Sequence, residues 1–457
     1  MGDVRRSSLQ GGKRVFRSEP GSERSVRYDE GNDYEPADHR QLPNPTTNLE
    51  TLFHLLRVGI GTGILAMPQA FAKAGLITGT VCTILVGMLV THCLRILVVT
   101  LYNTCKLKRV PLLTYPEAVK VSIGRGPSWM HWVSNPGAIA VDVFVIVYQL
   151  GVCCVYIVFI GDNLKKLCDA YVNYTVEIYM LMILLPLIML NMIPNLKLLA
   201  PLSGVANIMA ALSIIFIAYF LLSGKKSNQP LDYWGTLPNF PLFFGTIVFA
   251  LTSVGVVVAI STNMKTPKQF WVTCGVLDVG MIIIVLFFLS VGILGYMFCV
   301  SECSDAITLD LPKNNGLASA AVILYTISIF ISYALNCYVP VDIIWRNYLG
   351  PALERRSVTK LRLCEYLLRI ILCLFTFVLA VSIPRLGLFI SLFGALCLSA
   401  LGFCFPAIME ACMEFARPER LARKFIFAKD IFIFIVGLIG LTTGTYSAIE
   451  GIINSFR

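Results

Sequence analysis

Apolar runs of about twenty residues, the length that crosses a bilayer's hydrocarbon core, recur along almost the whole of this chain. Eleven can be placed, near residues 50–72, 76–101, 136–160, 178–193, 199–222, 241–262, 270–298, 319–345, 366–383, 386–409 and 430–451. Pro194 divides the stretch 178–222, and Pro384 with Arg385 divides 366–409. Within lipid a backbone must satisfy its own polar groups, so runs of this length fold as helices. The expected fold is an all-α integral membrane protein of eleven transmembrane helices. Composition agrees, since 56% of the 457 residues are hydrophobic and 14% are charged, which excludes an ordinary soluble globular protein.

Charge sets the expected orientation. Residues 1–48 are polar, lack any apolar period and carry Arg5, Arg6, Lys13, Arg14, Arg17 and Arg24, so they read as a disordered cytosolic tail. Residues 49–457 form the transmembrane domain. No apolar leader core lies near the start, and the first span is expected to act as the targeting signal. Alternate loops then carry clustered basic residues, such as Lys106, Lys108 and Arg109, or Arg355 and Arg356. That bias places these loops in the cytosol and, for an odd span count, the C-terminus outside or in a lumen. The net charge of +10 thus reads as topology and contact with an anionic leaflet. No basic, aromatic-rich face lies outside the spans, so no nucleic-acid partner is expected.

The loop after the third span is placed outside and holds Asn173-Tyr174-Thr175, which makes Asn173 a glycosylation candidate. Cysteines such as Cys153, Cys154, Cys274 and Cys397 sit in apolar runs as small core residues. Cys168 and Cys303 fall in outer loops, which leaves a bridge between them open. No paired CxxC or His/Cys spacing appears, so no metal is expected.

The first span is interrupted at Gly59, Gly61 and Gly63. Three glycines within five residues make an unbroken helix costly. One reading is a broken helix whose freed backbone groups face a ligand; the other is close helix packing. The sixth span is interrupted in a related way by Thr252, Ser253, Val254 and Gly255, although hydroxyls that bond their own helix would read similarly. Paired interruptions in two halves point to a transporter site between inverted repeats. Half-helix N-termini suit a carboxylate and freed carbonyls suit an ammonium, so the natural ligand is a small neutral amino acid.

Ionisable residues within spans are functional candidates. His54 lies just before the first break and is a candidate for proton coupling. Asp142, Asp342, Glu410 and Glu450 fall near span ends, Asp278 reads as deeper in the seventh span, and Glu365 with Arg369 has pairing distance on one helix face.

At this point the chain resembles the proton-coupled amino-acid transporters of the amino acid/auxin permease group. The matching residues are Leu52-Phe53-His54-Leu55-Leu56, Gly61-Thr62-Gly63-Ile64-Leu65, Met67-Pro68 and Ala74-Gly75 in the first span. Others are Tyr148-Gln149-Leu150-Gly151, Tyr233-Trp234, Pro241-Leu242-Phe243-Phe244-Gly245-Thr246, Gly295-Tyr296 and Ile307-Thr308-Leu309. Tyr333-Ala334-Leu335, Tyr338-Val339-Pro340, Ile383-Pro384-Arg385-Leu386 and Gly444-Thr445-Tyr446 complete the set. The resemblance implies an eleven-span bundle of the amino acid–polyamine–cation type, a 5+5 inverted repeat with broken helices 1 and 6. It implies import of small neutral amino acids with a proton. It also makes His54 the functional histidine and Gly61, Thr62 and Gly63 the unwound loop.

The chain departs from that pattern in the sixth span, where Phe-Glu-Gly-Ile-Gly is usual and Leu251-Thr252-Ser253-Val254-Gly255 stands here. The usual Leu-Glu-Asn is Ile260-Ser261-Thr262, the usual Asn of the first break is Gly59, and the Asp after Pro-Arg-Leu is Gly387. His54 is the retained group for coupling. The expected function is a secondary transporter that moves small neutral amino acids toward the cytosol by alternating access. It would sit in a plasma or lysosomal membrane, with the lipid bilayer as surroundings, a proton as coupling ion and no cofactor. The alternative is an amino-acid-sensing receptor with little flux. No Ser/His/Asp, metal or nucleotide constellation can be assembled, so an enzyme is not expected. Nothing in the sequence sets an oligomeric state.

Overall fold

Helices make up the regular structure among the described residues, apart from one isolated bridge between Thr46 and Met264. The computed structural model describes residues 34–40, 45–59, 61–169, 172, 174–193, 196–224, 229–312, 315–353, 358–383, 385–416 and 423–456. Most of the expected tail lies outside these, as do Asn173 and Pro384.

In chain order the helices are α1 (Asn48–Gly59), α2 (Met67–Ala74), α3 (Leu76–Lys108), α4 (Tyr115–Ile123), α5 (Ser134–Cys168) and α6 (Val176–Asn191). Then come α7 (Leu196–Ser223), α8 (Phe240–Leu251), α9 (Val254–Asn263), α10 (Lys268–Trp271), α11 (Val276–Cys299) and α12 (Ile307–Asp310). The last are α13 (Gly316–Ile343), α14 (Gly350–Leu353), α15 (Val358–Ser382), α16 (Leu386–Phe393), α17 (Phe405–Phe415) and α18 (Arg423–Ser455). Two π-helical turns, Gly394–Leu398 and Ala400–Cys404, join α16 to α17 in one span.

Nine spans among the described residues are long and apolar enough to cross a membrane, and α1 with α2 forms a tenth, bent by 46°. The sixth of the expected spans, Leu237–Asn263, contains both α8 and α9. Apolar helices thus occupy all the stretches expected from the sequence. The fourth, α6, has only 16 residues, about 24 Å at the helical rise against a core of about 30 Å.

Local chemistry explains the element ends. Pro68, Pro116, Pro241 and Pro406 occupy first turns, where a missing N–H costs nothing. Glu117 reaches back to the Thr114 N–H at 2.9 Å and closes a capping box on α4. Gly75, with φ of 79°, makes the sharp joint between α2 and α3. A Cβ there would lie 2.5 Å from the Gly235 nitrogen, so only glycine fits on both counts.

Small residues set which spans touch. On α11, Gly280 lies under Leu55 and Gly292 under Phe71, where a Cβ would come within 2.5 and 2.6 Å. Gly295 of the same helix packs on Pro68, and Gly87 of α3 packs on Val285. The first, second and seventh spans are therefore in backbone-close contact, as small-residue packing allows in lipid. Gly245 and Gly394 bring α8 equally close to the span of α16 and α17.

Charged groups in the spans are mostly paired. Arg369 binds Glu365 at 3.0 Å, the pair expected from their spacing. Asp278 differs from its expected depth. Helix α11 begins only at Val276, so Asp278 sits in its first turn, accepts the Cys274 N–H at 2.9 Å and pairs with Arg95 of α3. A carboxylate there complements the helix N-terminus. Near the N-terminal end, Glu35 pairs with Lys268 at 3.2 Å and Lys106 at 3.7 Å, and Tyr102 donates to it.

The bridge left open between Cys168 and Cys303 is not formed. Cys303 is joined to Cys299, with Cα atoms 4.9 Å apart, while Cys168 is free. The C-terminal end of α11 folds straight into the turn that carries Cys303, so its neighbour four residues back is the cysteine in reach. Peptide mapping of non-reduced protein should therefore recover Cys299 linked to Cys303, with Cys168 open to a maleimide. Recovery of a peptide that links Cys168 to Cys303 would contradict this arrangement.

Candidate functional site

The helical ladder of α1 ends at Gly59. The Gly61 N–H turns back to the Gly59 carbonyl at 3.1 Å, and the Ile64 N–H reaches Gly61 at 3.2 Å. Gly61 is extended (φ −102°, ψ −167°), and the chain resumes as a 3-10 turn over Thr62–Ala66. The second break follows Leu251. Thr252 (φ −97°, ψ 103°) and Ser253 (φ −112°, ψ 54°) leave the helix, and the ladder restarts with the Val257 N–H on Ser253 at 2.9 Å. Each break frees carbonyls at the end of one half-helix and N–H groups at the start of the next.

The two breaks face each other directly, because a Cβ on Gly63 would lie 2.7 Å from the Ala250 Cα. The glycine run thus divides its work. Gly63 packs against α8, Gly59 packs against Ile284 of α11 at 2.5 Å for a built Cβ, and Gly61 is the residue that leaves the helix. Both readings of the run apply, at different residues.

A cavity of about 1320 Å³ opens beside the breaks. Gly59, Gly61, Thr62 and Gly63 line it from the first span, and Ser253, Val254 and Gly255 from the sixth. His54 lines it one helical turn before Gly59 and is exposed. Thr252 does not line it. Its methyl faces the Gly402 position at 3.0 Å, and its buried hydroxyl has no hydrogen-bond partner.

Further helices, α5 and α13 among them, supply walls that the sequence reading did not assign to the site. From α5 come Tyr148, Gln149 and Tyr156; from α13 come Tyr325, Ser328, Ser332 and Asn336. Tyr148 stands edge-on to Phe249 with ring centres 6.0 Å apart. Asn336 donates to Tyr156 at 3.4 Å and to the Ser332 carbonyl at 3.0 Å. The Gln149 Oε1 is buried without a partner. A signal for these residues was present, since Ser328, Ser332 and Asn336 recur every four residues and mark one polar stripe along an apolar helix.

Charged lining groups collect at one end. They include Arg57, Lys120, Asp142, Asp342 and Arg346, from the side where the tail and basic loops are placed. Arg346 pairs with Asp342 at 2.7 Å, and Asp142 accepts from Asn347 at 3.2 Å and Tyr348 at 3.1 Å. The opposite end is tied shut by the loop before α13. Asp305 accepts the Gly387 N–H at 3.0 Å and the Gln69 side chain, while Lys166 of α5 donates to the Thr308 and Leu311 carbonyls at 2.6 and 2.7 Å. None of these residues lines the cavity. The arrangement is a one-sided vestibule with an uncharged floor of backbone groups, hydroxyls and amides. It can hold a small polar molecule.

Comparison with known proteins agrees with this architecture. Residues 44–450 match the family of transmembrane amino acid transporter proteins. The chain is 33% identical over 451 residues to the proton-coupled amino acid transporter-like protein pathetic of Drosophila melanogaster, covering 97% of this chain and 93% of that one. It is 25% identical over 430 residues to the amino acid transporter AVT3C of Arabidopsis thaliana, covering 90% and 92%.

The glycine assignments predict opposite outcomes for two alanines. Gly63→Ala forces apart two backbones and should destabilise by about 1–3 kcal/mol. Gly255→Ala, whose Cβ would meet nothing within 4 Å, should leave the thermal midpoint of the purified protein unchanged. Equal midpoints for the two variants would remove the packing role from Gly63.

Proposed function

The chain belongs to the transmembrane amino acid transporter family, and from that membership we propose that it moves small neutral amino acids toward the cytosol by alternating access, coupled to protons through His54. The observation that carries this reading is the meeting of the two helix breaks at the floor of a one-sided cavity. Backbone N–H groups of Gly61 to Gly63 suit a carboxylate, and the carbonyls of Leu251 to Val254 suit an ammonium. The unpartnered Gln149 Oε1 is a further acceptor for the ammonium, and the hydroxyls of Thr62 and Ser253 add contacts. Thr252 contributes through its backbone. The charged lining residues lie near the mouth, so the floor favours a zwitterion of no net charge with a small side chain set against Tyr148, Tyr156 and Phe249.

The orientation follows from loop charge: the tail through residue 48 in the cytosol, the C-terminus and Asn173 on the far side, in a plasma or lysosomal membrane. The vestibule then faces the cytosol, and the Asp305 latch closes the far side. His54 lines the vestibule and can exchange protons with it. Spans one, two, six and seven rock against the rest, in keeping with the close glycine packing of the first, second and seventh. Thr252, standing where the family has an acid, favours a second reading in which the protein senses an amino acid with little flux.

Uptake into vesicles separates the two. Labelled neutral amino acids should enter faster at about pH 5.5 than at about pH 7.5, with inward current, and His54→Gln should lose that difference. Gly61→Leu should abolish uptake at both values while the protein stays in the membrane. Binding without flux would instead support sensing, and undiminished uptake in Gly61→Leu would refute the site.

A further inference from the structure

Outside the cavity, charged side chains meet where α3, α17 and α18 converge. The Lys429 ammonium lies 2.6 Å from Glu410 Oε2 and 3.3 Å from Asp430 Oδ1. Asp430 is only 2% exposed, and neither of its carboxylate oxygens receives a hydrogen bond. Its carboxyl therefore shares a single ammonium with that of Glu410. One ammonium offsets one carboxylate and leaves a second negative charge in a low-dielectric seam, which a proton on either carboxyl removes.

Among the described residues, the groups named on the neighbouring elements do not supply the missing charge. Arg95 of α3 is committed to Asp278 of α11. His92 of α3 stands within electrostatic reach of Lys429 and Glu410, with a buried Nε2 that has no hydrogen-bond partner. Among the described residues, Cys93 of α3 also lies within electrostatic reach of Glu410, Asp430 and Cys404, and Tyr115 of α4 spends its hydroxyl on the Leu401 carbonyl at 2.8 Å.

We propose that Glu410 and Asp430 hold one proton between them, forming a protonation site separate from His54 and from the substrate cavity. Glu410 and Lys429 are partly exposed, so the proton exchanges with the side on which they open, and His92 is the next acceptor inward. The location gives the site a consequence. Helix α3 is packed by glycine against the first and seventh spans, whereas α17 and α18 belong to the tenth and eleventh. The proton therefore sits on the seam between the spans proposed to rock and those that stay. Its loss leaves two like charges face to face and loosens that seam. The proton site rests on side-chain geometry; only its effect on uptake rests on the transport reading.

Infrared difference spectra of the full chain in liposomes test the site, with uptake measured on the same preparations. Near neutral pH the wild type should show the carbonyl stretch of a protonated carboxyl, shifted in heavy water and lost in both Asp430→Asn and Glu410→Gln. The two variants should also lose at least half of the ratio of acid to neutral uptake. A wild type without the band, or a band that survives both substitutions, overturns the site. A band that vanishes when sodium chloride is raised at constant pH overturns it in favour of a metal cation. If the band behaves as expected but the variants keep the wild-type ratio, the link to uptake is overturned. Should the wild type itself lack uptake while the band is lost in both variants, the proton site stands and the transport reading falls.

Discussion

In hydrocarbon every backbone N–H and C=O must find a partner within the protein, and the rest of this structure depends on that obligation. It makes the described spans helical almost throughout and confines their irregular backbone to places where protein or a cavity can receive it. Among the described residues two spans give up their ladders near the middle, at Gly61 and at Thr252–Ser253, and these two interruptions lie against each other. The freed groups of one break could not be buried in lipid alone. Set side by side at the floor of a cavity, they become a polar surface that faces it.

Side-chain size then decides which spans lie as close neighbours. Lipid offers no hydrophobic reason for helices to associate, so contact comes from close packing. Gly280, Gly292 and Gly295 let α11 lie almost on the backbone of the first span, and Gly87 does the same for α3. Polar ties act at the ends. The Asp305 carboxylate links the first span to the N-terminus of α16, and Lys166 ties the same loop to α5. Packing of this kind leaves a vestibule on one side and a closed lid on the other. A transporter of the proposed type needs that asymmetry in each of its two states.

The legibility of the site varied with the physics behind each residue. Gly61 was readable because a glycine cluster inside a span has few uses. The separate role of Gly63 was not, because a close approach to Ala250 depends on a helix nearly two hundred residues away in sequence. Thr252 and Ser253 look alike in the chain, yet one turns toward Gly402 and the other into the cavity, since the break rotates successive residues to different sides. The polar stripe of α13 carried a periodic signal that points to a shared face, but periodicity does not say what the face looks at. The partner of Cys303 and the depth of Asp278 were not legible for a common reason. Both depend on where α11 begins and ends, and element ends are set by local turns that hydropathy hardly records.

The sequence by itself determined the helical class, the stretches that form apolar helices, the positions of both breaks and the family resemblance. These follow from one-dimensional quantities: the length of an apolar run, the spacing of glycines and the order of motifs. Only the tertiary structure decided that the breaks meet, that α5 and α13 wall the cavity, that Cys299 is the partner of Cys303 and that Glu410 faces Asp430 across Lys429. Each of those is a relation between distant segments. Such relations are fixed by how closely helices can approach and which way a side chain points, and neither is written in the local order of residues.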